Sequence, residues 1–449
     1  MPDRLAAGPY RLLPLDNNTE IPYYVIPFDK QGRCDGPQTR AHLIEAVRNG
    51  LYTDVFIFSH GWNNDWTVAT KRYEDFMNGY IGMRRMHGLA VTNPYRPLLV
   101  GVFWPSTALT FGVSEAGPQI AAGDPEAIDR AVAEERTAVR EVAEQLPEQN
   151  VNRFYELSQK DTLLEVEARE LAGIVQPLYA TGRDEVPEAG APTPEEIIGA
   201  WRGLSPQPED LNDFGTTNAP ADGPQTAGFG DVLRKFDPRK IIRMLSVWQM
   251  KDRAGTVGAR GVSPLLRDLL SADQTSQQPA RLHLIGHSYG AKVMLSAIAV
   301  GSAPSRKIHS LLLLQAAVSH LCFADQVPDT TRPGGYRSVL ERVKAPVLST
   351  FSAQDFPLTK TFHIALRRSE DLGDAQIASD EPPSVYAALG GFGPRRAAEK
   401  LLDIHDVKQA YDLSGAPPII GLRATRTISG HGDISNESTW WALYSLVSR

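Results

Sequence analysis

Ser288 stands in Gly286-His287-Ser288-Tyr289-Gly290, a spacing in which a serine hydroxyl can be made nucleophilic. Leu282, Leu284 and Ile285 before it read as a short buried strand, and Ala291 to Val300 after it as an apolar helix closed by Gly301. A strand, a very tight turn and a helix lift the hydroxyl above the edge of a sheet. Side chains two places before and two places after the serine would collide, so glycine suits positions 286 and 290. The Tyr289 amide then lies at a helix N-terminus, facing any oxygen that becomes negative there. The competing reading of the same residues is a glycine-rich turn that only packs.

Acyl transfer to serine also needs a base, a group that orients the base, and donors for the oxyanion. In an open α/β sheet such groups sit beyond the C-terminal ends of the strands. Among ten histidines, His431 follows the last predicted strand in Ser429-Gly430-His431-Gly432-Asp433 and is the expected base, with His405 the alternative. His287, next to the serine, is expected to point elsewhere. Asp355 directly follows the predicted strand 345–351 and is the expected acid, with Asp325 the alternative and an ordinary turn or helix-cap role the bland reading. The order Ser…Asp…His suits an elbow-type serine site. The second oxyanion donor is expected from His60-Gly61-Trp62, after the predicted strand 54–59. There Gly61 would let the Trp62 amide face the hydroxyl, while the plain alternative is a turn with a buried tryptophan.

These residues need a scaffold. Two short β-like runs within 9–28 suit a hairpin, and further strands are predicted at 54–59, 96–104, 281–285, 309–318, 345–351 and 419–428. Helices are predicted over 38–49, 66–87, 264–271 and 437–448, and strands alternating with helices imply a mostly parallel sheet covered on both faces. Residues 107–237 break the rhythm. Two amphipathic helices are expected there, one carrying Ile128, Val132, Val139, Val142 and Leu146 after an Asp124-Pro125 start, the other Leu164, Ala168, Leu171, Val175 and Leu178. The Pro/Gly/Asp-rich stretches 181–194 and 205–230 read as loops, as does the glycine-containing 254–261. The chain thus divides into a core of 1–106 and 238–449 and an inserted helical cap, 107–237. The cap is expected to serve as a lid, because it follows the strand 96–104, taken as the neighbour of the elbow strand.

The net charge of −7 offers no footprint for nucleic acid or an anionic membrane. Cys34 and Cys322, the only cysteines of 449 residues, give neither a disulfide framework nor zinc spacing. The start lacks the pattern of a signal peptide and the longest apolar run is far too short for a bilayer, so a cytoplasmic protein is expected, leaderless secretion aside. No metal or organic cofactor is expected.

The stretches Phe58-Ser59-His60-Gly61-Trp62-Asn63-Asn64 and Gly286-His287-Ser288-Tyr289-Gly290-Ala291 resemble those of the α/β-hydrolases, lipase/esterase-like bacterial serine hydrolases of unassigned substrate. The resemblance covers roughly 50–106 and 238–449 and leaves 107–237 unexplained. It implies an α/β-hydrolase fold with Ser288 as nucleophile, His431 as base, Asp355 as acid and the Trp62 and Tyr289 amides as oxyanion hole, supported by His60, Gly61, Gly286, His287 and Gly290. Only one glycine follows His60, a departure from HGGG-type esterases that tilts the expectation towards medium or long acyl chains. The implied partner is a small-molecule or lipid ester. Amidase, thioesterase and phospholipase chemistry would use the same residues, and a catalytically silent scaffold docking a partner on the insert is the reading from another class.

Overall fold

Alternate residues of each buried strand separate onto two faces, and this one periodicity organises the molecule. The computed structural model describes residues 5–16, 19–49, 52–91, 95–106, 136, 139–180, 193–203, 236–272, 278–301, 303–328, 330–361 and 387–449. Nine strands form one sheet: β1 (Arg11–Asp16), β2 (Thr19–Pro27), β3 (Asp54–Ser59), β4 (Pro97–Phe103), β5 (Arg281–His287), β6 (Ser310–Leu314), β7 (Val347–Phe351), β8 (Lys400–Asp403) and β9 (Ile419–Arg423). Their order is β1-β2-β4-β3-β5-β6-β7-β9-β8. Only β1 and β2 pair antiparallel; every other pairing is parallel. The fold class is therefore α/β, with a mostly parallel sheet flanked by helices.

On one face Val55, Ile57, Val100, Val102, Leu282, Leu284, Leu311 and Leu313 join a single apolar cluster. It is covered by α1 (Pro37–Arg48) and by helices that follow the insert. On the other face Phe56, Phe58, Leu99, Ile285, Leu312, Leu314 and Leu348 join a second cluster, covered from the N-terminal half by α2 (Trp66–Met86). Asp65 starts α2 by accepting from the Val68 amide at 2.8 Å, the usual way to satisfy an orphan donor of a first turn.

Part of the insert is described. Helices α3 (Glu148–Ser158), α4 (Glu165–Val175) and α5 (Pro194–Gly203) share an apolar cluster of their own, including Phe154, Leu157, Ala168, Leu171, Val175 and Trp201. Val142 and Leu146 of the first expected stripe belong to it. Ile128, Val132 and the Asp124-Pro125 start lie outside the described residues, as do 181–192 and 205–230. Leu164 departs from the expected stripe: it precedes α4 and is 57% exposed.

The next helix, α6 (Pro238–Thr256), begins at Asp237, whose side chain accepts from the Arg239 amide at 2.9 Å. It is shared between two layers. Ile241, Ile242 and Leu245 pack in the insert's cluster, whereas Met250 and Ala254 pack beneath the sheet. The helix that opens at the expected 237/238 boundary thus packs against both the insert and the sheet.

Two sequence expectations are corrected here. Residues 254–261 are not a loop: α6 continues as a π-helical turn, Val257–Val262, into α7 (Ser263–Ala272). Gly258 is there for contact, since a Cβ on it would lie 2.3 Å from the Val293 carbonyl oxygen. The helix α8 (Tyr289–Ala299) that carries Val293 can therefore press closely on this turn. Second, the strand before the insert does not neighbour the elbow strand. β4 lies between β2 and β3, and β3 is the neighbour of β5.

The short helices α9 (Val339–Arg342) and α10 (Leu389–Phe392) follow, and α11 (Glu437–Val447) closes the chain. Asn436 caps α11, accepting from the Thr439 amide, and α11 packs beside α2. Among the described residues no helix is long and apolar enough to cross a membrane. Both cysteines are free thiols.

Candidate active site

The turn from β5 into α8 places Ser288 at φ 55° and ψ −125°, a conformation that costs a non-glycine residue about 1–3 kcal/mol. The surroundings hold it there. The Ser288 amide donates to Leu314 O, and Ser288 O accepts from the Ala291 and Ala317 amides. A Cβ on Gly290 would lie 2.1 Å from Ser59 O, and one on Gly286 would lie 2.6 Å from the Ala291 Cα. Neither position has room for a side chain, so β3, β5 and α8 meet closely at this turn.

The imidazole of His431 comes from the loop between β9 and α11. Its Nε2 accepts from the Ser288 hydroxyl at 2.8 Å and its Nδ1–H donates to Asp355 Oδ2 at 2.9 Å. Asp355 follows β7 directly and is fully buried. Its Oδ2 also accepts from Gln315 Nε2 at 2.8 Å, and its Oδ1 from the Leu358 amide at 3.1 Å. The loop bearing His431 is tied at both ends: Asp433 accepts from the Ser429 amide and hydroxyl, and Asn436 donates to Thr427 O and Asp433 O.

The chain after β3 passes directly over the serine. A Cβ on Gly61 would lie 2.5 Å from the Ser288 Cβ and 3.1 Å from its Oγ. His60 is buried with its ring stacked on Trp104, 5.3 Å between centroids. Its Nε2 accepts from the Trp104 amide, which leaves the proton on Nδ1 to donate to Gly61 O at 2.8 Å. Burial pushes this imidazole down to about 3, so it stays neutral in that tautomer. Asn64 Nδ2 donates to Gly61 O at 3.2 Å and to Trp62 O at 2.6 Å. With the Gly61 carbonyl drawn towards His60 and Asn64, the Trp62 N–H points the opposite way, because a trans peptide sets the two antiparallel. Tyr289 is the first residue of α8, where helix N–H groups and the dipole favour negative charge.

No match comes from known family models, curated proteins or solved structures. The chemistry must be read from geometry. An imidazole bonded to a hydroxyl on one side and a carboxylate on the other can take the hydroxyl proton and hold the resulting charge. The structure brings Ser288, His431 and Asp355 together and leaves the alternatives apart. His405 is stacked on Tyr411 with its Nδ1 bonded to Gln409 O, and Asp325 pairs with Arg337.

His287 has a role that the sequence did not assign. It points, as expected, to a partner other than the serine, but that partner belongs to the site: its Nε2 donates to His431 O at 2.9 Å. Three further residues went unassigned in the sequence reading: Asn64, Gln315 and Arg72, the last 3.0 Å from His287 Nδ1. Gln315 carried a signal, as the polar break in the apolar run from Leu311 to Val318.

A second Asp–His–Ser series lies at the other ends of the strands. His283 donates from Nε2 to Asp54 at 2.9 Å and accepts at Nδ1 from Ser310 at 2.7 Å. All three side chains are buried, and Arg281 also pairs with Asp54. Burial works to raise the Asp54 carboxyl, but the bonds and charges of His283, Arg281 and Thr53 outweigh it and hold the group below its ordinary value. Ser310 is an ordinary strand residue of β6 without the tight-turn backbone of Ser288, so this series knits β3, β5 and β6 together.

Proposed function

We propose that the chain is a serine hydrolase of α/β-hydrolase fold that cleaves carboxylic esters through Ser288, His431 and Asp355. The reading is carried by one observation: the 2.8 Å and 2.9 Å bonds that place a single imidazole between a strained serine and a buried aspartate. His431 takes the hydroxyl proton as Ser288 attacks the ester carbonyl, while Asp355 holds the ring in the required tautomer. The Trp62 and Tyr289 amides stabilise the tetrahedral oxyanion. His431 then protonates the leaving alcohol, and water releases the acyl group with His431 again as base. The single glycine after His60 favours acyl chains of medium or long length.

The test is covalent labelling of the intact protein followed by a panel of chromogenic esters of rising chain length. A fluorophosphonate is expected on the peptide containing Ser288. Label on another residue, or none at all, overturns the reading.

The role given to the Gly61–Trp62 segment has its own test. Asn64→Ala removes both clamps on the loop carbonyls, and kcat is expected to fall about thirtyfold with KM little changed. That is less than the 10²–10³ loss for deleting an oxyanion donor outright, because the donor is loosened rather than removed. Asn64→Asp faces two carbonyl oxygens with a carboxylate and is expected to do worse. Steady-state kinetics on a soluble ester decide this; full activity in both variants would show that the loop takes no part.

A further inference from the structure

Period-two alternation puts His287 on the same face of β5 as Ile285, which packs in the cluster under α2 and α11. On that face two groups reach it. Arg72, in the second turn of α2, brings Nη1 to 3.0 Å from His287 Nδ1, and His431 O lies 2.9 Å from His287 Nε2. A guanidinium can only donate and a carbonyl can only accept. Both contacts therefore demand one tautomer, with Nδ1 bare and Nε2 protonated. The guanidinium pairs with no carboxylate among the described residues, so its directed contact is the imidazole.

We propose that Arg72 and His287 act as positioning residues, a brace that fixes the His431 main chain so that its ring meets Ser288. This rests on the serine-hydrolase reading above. Arg72 locks the tautomer of His287, and His287 in turn pins the carbonyl of His431. In the opposite tautomer the Nε2 lone pair would face His431 O and push the loop away. The rings of His287 and His431 lie 5.0 Å apart between centroids, so such a displacement is felt at once by the base. A misplacement near 1 Å at a reacting group costs on the order of a hundredfold in rate. Three positively chargeable groups face His287: Arg72 from α2, His431 from the loop after β9, and His60 from the loop after β3. Burial first, and then these groups, hold its imidazole well below the ordinary range.

The experiment compares wild type, Arg72→Met, Arg72→Lys, His287→Gln and His287→Ala in the full chain, with two readouts. The first is the ¹⁵N shift of the His287 ring, which is expected to report a neutral Nε2–H tautomer in wild type. In Arg72→Met the ring is expected to become a mixture of tautomers. The second readout is kinetic. Arg72→Met is expected to lower kcat about tenfold with KM unchanged on neutral and anionic esters alike. Lysine, which can still donate to Nδ1, should restore most of the rate. Glutamine at 287, which can donate to His431 O, should retain more activity than alanine. An unchanged tautomer in Arg72→Met overturns the brace. So does an effect confined to KM for anionic esters, which would make Arg72 a substrate contact. Loss of the serine reading would appear separately, as absent labelling at Ser288, while the ring shifts would still decide for or against the brace.

Discussion

With alanine at position 288, ester hydrolysis should fall about a millionfold while the fold stays intact. The size of the loss follows from the way such groups work together: removing the nucleophile alone costs nearly as much as removing the whole set, and what remains over water comes from binding and the oxyanion donors. The stability expectation follows from the backbone. Ser288 holds φ 55° because its amide and carbonyl are bonded to Leu314, Ala291 and Ala317, and alanine keeps every one of those bonds. The only bond lost is from the hydroxyl to His431 Nε2, which leaves one buried acceptor unpaired at a cost of about 1 kcal/mol. Glycine at the same place would relieve the backbone strain, so Ser288→Gly should be as inactive as alanine yet melt higher. Hydrolysis measured under saturating ester, together with thermal unfolding of both variants, checks the pair. Residual activity within a hundredfold of wild type in either variant would mean that another residue makes the bond to the acyl carbon.

Much of this arrangement was written in local pattern. β3, β5, β6 and β7 are largely apolar runs, and the Gly61 segment, Ser288 and Asp355 emerge just past the ends of β3, β5 and β7. The edge strand β8 was not legible, because none of its four residues Lys400–Asp403 is buried and they carry no alternation to read. Gly255, Gly258 and Gly261 read as chain breakers, yet Gly255 lies in α6 and the other two in the π-helical turn, where Gly258 permits a close approach to α8. The supporting residues were hidden for a different reason. Asn64 acts on main-chain oxygens of its own loop, and Gln315 and Arg72 act on partners 40 and 215 positions away, so no periodicity marks them. Helix and strand patterns report burial of apolar faces; a single directed hydrogen bond leaves no such repeat.

Gln315 gives the second large expectation, for Asp355→Asn. In serine sites of this kind an asparagine costs about ten-thousandfold, chiefly because its NH₂ group forces the imidazole into the tautomer that cannot accept the serine proton. Here the surroundings resist that. Oδ2 of Asp355 receives two donors, His431 Nδ1–H and Gln315 Nε2–H, while Oδ1 receives only the Leu358 amide. The Gln315 amide cannot turn over to oblige: its Nε2 also donates to Gly390 O, and its Oε1 accepts from the Thr350 hydroxyl. An asparagine that placed NH₂ at the Oδ2 position would face the Gln315 NH₂ donor to donor. Placing oxygen there keeps two bonds and the productive tautomer, and sacrifices only the bond from Leu358. What the variant loses is the negative charge that stabilises the imidazolium. Asp355→Asn should therefore lower kcat by about a thousandfold, short of the ten-thousandfold that a wrong tautomer brings. The bias depends on Gln315, so Gln315→Leu should cost the wild type little but cost the asparagine variant a further tenfold, a non-additivity that a double-mutant cycle on kcat measures directly. Equal effects of Gln315→Leu in the two backgrounds would show that the glutamine does not choose the orientation of residue 355.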